Sequence, residues 1–309
     1  MESRSSRLSI VTGAFGFSGR CITKRLVTLG ERVRTLTNHA PRSAAIDVAP
    51  LDFGNPQELA RSMTGASVLY NTYWVRFAYG ETNHRRAVEH SRALVSAAER
   101  AGVRRIVHVS ITNPSPDSPL SYFRGKAAVE DIVRSSSLSY AILRPALLFG
   151  SGDILINNIA WFLRRYPIFA IPGDGEYGVQ PVFVEDLATL AIECGHKQEN
   201  AVLDAVGPER YQFKDLVRLI RDSIHSRCRL VFVPPFVACL TTWILGRLVN
   251  DQVLTREEIS GLMANLLVSN QPPSGNTSLR EWLRDNCNDV GGKYASELRR
   301  HYRRDTSRA

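Results

Sequence analysis

Through the first half of the chain, short apolar runs rich in β-branched residues alternate with longer stretches whose apolar positions recur every three or four residues. The runs at 8–12, 32–36, 67–71, 105–109 and 140–143 have the length and residue types of buried strands. Between them the spacing predicts helices over 16–29, 56–63, 83–101 and 122–135, with Gly30 and Gly102 as C-terminal stops. The order β-α-β-α-β-α-β-α-β predicts an α/β fold, a Rossmann-type doubly wound parallel sheet. Its right-handed crossovers place helices on both faces and open a ligand crevice at the strand C-terminal ends. Beyond Gly150 the alternation loosens into Gly- and Pro-rich loops such as Pro172-Gly173-Asp174-Gly175, and the chain turns mainly helical after Phe236. A larger domain over 1–195 and a smaller, mainly helical C-terminal lobe over 196–309, interleaved with loops from 150–182, is the expected division.

The first predicted turn carries chemistry. Gly13-Ala14-Phe15-Gly16-Phe17-Ser18-Gly19-Arg20 joins strand to helix with glycines three apart. The first glycine permits a tight turn, the second lets backbone N–H groups approach a pyrophosphate, and the third allows close helix–strand packing. Phe15, Phe17 and Arg20 belong to the same cofactor-binding turn. The second strand runs into Thr37-Asn38-His39-Ala40-Pro41-Arg42 and lacks the carboxylate that would bond a ribose diol. Asn38 stands in its place, and Arg20 and Arg42 are candidate phosphate partners, so NADP is preferred over NAD. Asp52 and Phe53 are candidate adenine contacts, Asp52 alternatively an ordinary helix cap.

A second constellation lies at Tyr122-Phe123-Arg124-Gly125-Lys126, which sets a phenol and an ammonium four residues apart on one helix face. A neighbouring positive charge favours the phenolate and makes the hydroxyl a usable proton donor or acceptor.

Together, Thr12-Gly13-x-x-Gly16-x-x-Gly19 and Tyr122-x-x-x-Lys126 resemble the short-chain dehydrogenase/reductase superfamily, in its extended and atypical branch. The segment 83–110, Arg144-Pro145 with Phe149-Gly150, and 180–188 extend the likeness over residues 8–195. The pattern is similar to NAD-dependent epimerase/dehydratase proteins and to the accessory NAD(P)H-binding subunit of respiratory complex I. The resemblance implies that Tyr122 is the acid/base and that Lys126 orients the nicotinamide ribose. It also implies a hydroxyl for the substrate oxygen, which Ser110 or Thr112 supplies if the register shifts from Ile111. Asn71, Thr72 and Tyr73 then border the nicotinamide, with Arg76 close by, Tyr73 and Trp74 alternatively being packing aromatics.

Composition trims the remaining classes. Lys plus Arg exceeds Asp plus Glu by 39 to 30, but six basic residues against two acids fall within 293–309. A solvated terminal helix explains that cluster without nucleic acid, since no aromatic platform or zinc-finger spacing accompanies it. Five scattered cysteines with no C-x-x-C pair argue against disulfides and structural zinc, and the histidines show no metal spacing. The apolar run at 8–11 is too short for an export leader, and a cytoplasmic location is expected. The uncharged stretch 230–246 is split by Pro234-Pro235 and is too short to cross a bilayer. It reads as a buried or interfacial helix, with peripheral membrane contact through Trp243 as the alternative. Glu185-Asp186 suit a helix start, and Thr255 with Glu258 forms a capping-box pattern. The functional expectation is an NAD(P)-dependent oxidoreductase or epimerase/dehydratase. It would act on a hydroxyl or carbonyl carbon of a small molecule, the family likeness pointing to a nucleotide sugar. The alternative is a non-catalytic NAD(P)H-binding redox sensor or accessory protein.

Overall fold

The computed structural model describes residues 7–38, 41 and 44–301. It opens with β1 (Leu8–Thr12), α1 (Phe17–Thr28), β2 (Arg32–Leu36), β3 (Asp47–Ala49), α2 (Pro56–Arg61), β4 (Ala66–Asn71), α3 (His84–Arg100), β5 (Arg105–Val109), α4 (Ser121–Arg134) and β6 (Ser139–Pro145). There follow β7 (Leu147–Phe149), α5 (Leu155–Arg165), β8 (Ile168–Pro172), β9 (Gly178–Val179) and β10 (Pro181–Phe183), then α6 (Val184–His196) and β11 (Ala201–Ala205). The remainder comprises β12 (Tyr211–Gln212), α7 (Phe213–Ser223), β13 (Arg229–Val233), α8 (Pro235–Val249), α9 (Arg256–Met263), α10 (Leu279–Asn286) and α11 (Glu297–His301). Two compact units result, one of Met1–Pro145, Val184–Val206 and Gln271–Gly275, the other of Ala146–Phe183, Gly207–Asn270 and Asn276–Ala309. The expected division at residue 195 falls within α6, in the first unit.

The first unit is a Rossmann-type fold. Its seven-stranded sheet has the order β11-β6-β5-β4-β1-β2-β3, and every pairing is parallel. β1 and β5 are buried along their whole length and so do not alternate: β1 is a run of apolar and small residues, while β5 buries Arg105 and His108 among isoleucine and valines. Leu59 of α2, Leu94 of α3 and Val129 of α4 pack with Ile10, Leu69, Ile106 and Ile142 over one face. Helices α1 and α6 lie against each other and against the strands, covering the other face. Gly30 and Gly102 take φ of 80° and 74°, the left-handed conformation that ends a helix. The strand order reverses between β1 and β4, so the crevice for a ligand opens beyond Thr12 and Asn71.

Two strands exceed the sequence expectation. β3 is three residues long and is held to β2 by Arg34–Asp47 at 2.7 Å, a contact that local periodicity does not encode. β11 is a half-exposed edge strand that pairs with β6 and so lacks the apolar run of a central strand.

In the second unit, α5, α7 and α10 enclose Phe149, Ile156, Ile159, Leu216, Ile220 and Leu283. Short strand pairs, β7 with β10, β8 with β13 and β9 with β12, complete it. The Thr255 capping box is present, with Glu258 N–H donating to the threonine hydroxyl and the threonine N–H donating to the Glu258 carboxylate.

Candidate cofactor site

The turn after β1 is open. Gly13 is exposed, with φ of 69°, and a Cβ there would meet Thr72 Oγ1 at 3.1 Å. Gly16 N–H donates to Gly13 O at 2.8 Å, closing the turn. A Cβ on Gly19 would stand 2.2 Å from Gly13 O, so the helix start lies against the loop at a distance only glycine permits. Gly16 caps α1 without a side-chain bond, and no acid occupies the first helical turn. The first-turn N–H groups therefore gather positive potential with no anion from the helix itself to answer it. Phe15 and Arg20 are exposed beside this turn, and Phe17 is half-buried.

The neighbouring strand ends are fastened together. Thr12 donates through its hydroxyl to Asn71 Oδ1 at 3.1 Å and accepts from Thr72 N–H at 2.8 Å. Asn71 is fully buried and donates to His108 Nδ1 at 3.1 Å. Asn71 and Thr72 thus support the crevice floor. Asn38 closes onto the backbone of Leu51, donating to its carbonyl at 2.8 Å and accepting from its N–H at 3.1 Å. Its side chain is occupied in joining the end of β2 to the chain after β3. Arg42 lies outside the described residues. Asp52 accepts from Gly54 N–H at 2.8 Å, the ordinary turn role, while Phe53 stacks on His90 with centroids 3.9 Å apart. Tyr73 joins them through a 2.7 Å hydrogen bond between its hydroxyl and His90 Nδ1, and burial lowers the His90 pKa, which favours the neutral ring. Phe53, Tyr73 and His90 form a half-buried aromatic platform.

On α4, Tyr122 is half-buried and Lys126 is only 3% exposed. Lys126 Nζ donates to Val109 O at 2.9 Å and lies 4.7 Å from the centroid of the Trp74 ring. Trp74 also meets Tyr122 edge-on at 5.8 Å, so one indole borders both candidate side chains. It approaches closely because position 125 is glycine, where a Cβ would stand 2.9 Å from the indole. Burial lowers the Lys126 pKa to about 7, opposed by the Glu130 carboxylate one turn on. His108 is pushed far below its ordinary value by burial and by Lys126. Ser110 donates to Glu130 at 2.6 Å, and Arg144 and Arg134 complete the carboxylate's shell. Thr112 is fully buried with its N–H on Pro145 O, and Ile111 is buried between these two hydroxyl residues.

Residues 13–153 match the family model described as NAD(P)H-binding. An NAD(P)H-binding domain occupies this stretch. Sequence relatives include NADH dehydrogenase (ubiquinone) 1 alpha subcomplex subunit 9, mitochondrial, of Arabidopsis thaliana, 28% identical over 295 residues, which are 87% of this chain and 72% of the relative. A ceramide reductase of Caulobacter vibrioides is 29% identical over 232 residues, 72% of this chain and 73% of that protein. Among solved structures, an NADPH-dependent quinone oxidoreductase of Escherichia coli, complexed with NADPH, superposes with a TM-score of 0.70 at 17% identity, covering 90% of this chain and 99% of that one. The resemblance to short-chain dehydrogenase/reductase proteins thus extends to the three-dimensional fold.

The geometry of the NAD(P)H-binding domain suits its cofactor. The open glycine turn and uncapped helix start fit a diphosphate, and two buried ring N–H groups, Trp74 Nε1 and His108 Nε2, have no hydrogen-bond partner among the described residues. His84, His90 and Glu130 are site neighbours that sequence reasoning set aside or missed. Glu130 had one available signal, its i+4 spacing from Lys126 on a shared helix face. Among the described residues no group of His, Cys, Asp or Glu is arranged to hold a metal, and no helix is long and apolar enough to cross a membrane. The Arabidopsis relative's name places that protein in mitochondria, in contrast to the cytoplasmic expectation from cysteine usage.

Proposed function

We propose that the chain is an NAD(P)H-dependent reductase or dehydrogenase for a hydroxyl- or carbonyl-bearing small molecule. The observation that carries this reading is the pairing of Tyr122 with a buried Lys126 on α4, both against Trp74, in the domain that binds the dinucleotide. The cofactor, when bound, supplies or accepts hydride. The N–H groups at the start of α1 would hold its diphosphate and Lys126 its nicotinamide ribose. The platform of Phe53, Tyr73 and His90 offers a stacking surface for a base. Tyr122 moves the substrate proton, and the neighbouring ammonium stabilises the phenolate that results. NADPH is the favoured form, because Asn38 is turned onto Leu51 and no carboxylate stands at the end of β2 to oppose a 2′-phosphate.

A second reading has its own support. The Ser110 hydroxyl is held by Glu130, and Thr112, the other candidate holder of a substrate oxygen, is fully buried, which suits an NAD(P)H-binding accessory subunit or sensor. Likeness to the complex I subunit points the same way. Tyr122→Phe separates the two. With a panel of aldehydes, ketones and quinones, a reductase loses at least a hundredfold in turnover while its NADPH affinity stays within about twofold. An accessory protein leaves NADPH absorbance intact in wild type and variant alike.

A further inference from the structure

Helix α8 is built inside out. A surface helix ordinarily turns its large apolar side chains inward, yet only Ala238 and Gly246 of its 15 residues are buried. Gly246 approaches the backbone so closely that a Cβ would lie 2.6 Å from Asp251 O. Small residues thus make the contact, and Phe236, Leu240, Trp243, Ile244 and Leu248 face outward with exposures of 74, 56, 59, 47 and 69%. Their spacing of 4, 7, 8 and 12 residues from Phe236 puts them on one stripe.

A groove of about 1110 Å³ runs beside this stripe, its far wall including Leu254, Ile259 and Met263. The charges that line it decide its partner. Arg247 is the sole charged residue of α8, and its guanidinium sits 5.0 Å from the Trp243 ring centroid. Arg256 adds a second exposed cation at the groove. The acid among the lining residues, Asp251, is buried and accepts from Tyr294 Oη and from the N–H groups of Glu297 and Leu298. Leu298 lines the groove as well and is followed in the chain by the basic pair Arg299 and Arg300. An apolar stripe with a central tryptophan, bordered by cations and lacking an exposed acid on the helix itself, is the arrangement that suits a membrane interface. At about 1.5 Å per residue the helix is about 22 Å long, which suits lying along a bilayer and not crossing it.

We propose that the outward face of α8, with the adjoining groove, docks on an anionic lipid bilayer, its apolar side chains in the acyl boundary and Arg247 and Arg256 at headgroup level. The inference is independent of whether the NAD(P)H-binding domain turns over a substrate.

Flotation of the full chain with phosphatidylcholine vesicles, with and without about one third phosphatidylserine, tests it. The expected result is at least tenfold more binding to the anionic vesicles, weakened by high salt. The doubly substituted Leu240→Glu/Trp243→Glu chain loses that binding, and Arg247→Glu reduces it severalfold. These side chains are exposed, so both variants should retain the wild-type unfolding midpoint and NADPH affinity. Should the double variant misfold, brominated phospholipid gives a readout on the wild type: quenching of tryptophan emission, removed by Trp243→Phe, supports insertion. Absence of vesicle binding overturns the proposal, as does binding that the folded variants leave unchanged. Sedimentation showing a dimer that these variants dissociate, with no vesicle binding, assigns the face to a second copy instead.

Discussion

Lys126→Met keeps the length of a buried side chain and removes its charge. In the native chain the ammonium titrates at about 7 instead of its ordinary 10.5, because burial removes its hydration and Glu130 restores only part of the loss. At about 1.4 kcal/mol for each tenfold change, holding the charged form in place costs about 5 kcal/mol. The variant escapes that cost but leaves the Val109 carbonyl without its donor, a loss of about 1–3 kcal/mol. It should therefore be more stable than wild type by about 2–4 kcal/mol near pH 6. The pH dependence fixes the sign. Between about 7 and 10.5 the unfolded chain binds more protons at this lysine than the native chain does, so wild-type stability rises with pH through that window. The advantage of the variant should shrink by about 2–3 kcal/mol by about pH 9. Urea unfolding of both proteins at the two pH values measures it. Lower stability of Lys126→Met near pH 6, or a difference that does not move with pH, would refute the reasoning. The same substitution should abolish turnover and weaken NADPH binding, making Lys126 a residue kept for function at the expense of stability.

Other outcomes follow from the same geometry. Asp153 caps α5 by accepting from Ile156 and Asn157 N–H, yet burial raises its pKa to about 7. Its native form binds more protons than the unfolded chain between about 3.8 and 7, so it loses stability as pH rises through that window. Asp153→Asn keeps an acceptor for the cap and should raise stability by up to about 4 kcal/mol at pH 8 and by little at pH 4, read by thermal unfolding. Asn38→Asp puts a carboxylate at the end of β2 and sets it against the Leu51 carbonyl it now bonds. It should lower the NADPH-to-NADH affinity ratio at least tenfold in fluorescence titrations. Replacing Glu130 by Gln removes a buried carboxylate that the partly buried Arg144 and the exposed Arg134 both engage and should destabilise the fold by about 1–3 kcal/mol in urea.

The sequence made β1, its glycine turn and α1 legible because each has a local cause: a buried apolar run, a positive φ at Gly13, and a close approach at Gly19. Tyr122 and Lys126 were equally readable, since helical spacing alone places them on one face. What surrounds them was not. Ser110 was a candidate substrate holder, but its hydroxyl belongs to Glu130, whose arginine partner at 144 lies on another strand. Asn38 looked available for a ribose, and only the path of the chain through β3 reveals that it binds Leu51. Trp74 read as a packing aromatic and His90 only as a histidine without metal spacing, and their positions beside Lys126 and Phe53 depend on tertiary contacts that no local pattern encodes. For α8 a buried or interfacial helix with Trp243 at a membrane was legible, but which side chains face outward was not, because an apolar stretch does not itself show that its small residues make the contact.

Calorimetric titration of NADPH into wild type and Gly19→Ala reads whether the glycine turn holds the dinucleotide. A methyl group at position 19 has to displace the Gly13 carbonyl, which would stand 2.2 Å away, and so opens the turn proposed to receive the diphosphate. One NADPH should bind per wild-type chain, with at least a tenfold loss of affinity in a variant that remains folded. Failure of the wild type to bind NADPH or NADH, or equal affinity in the folded variant, would contradict that role for the turn.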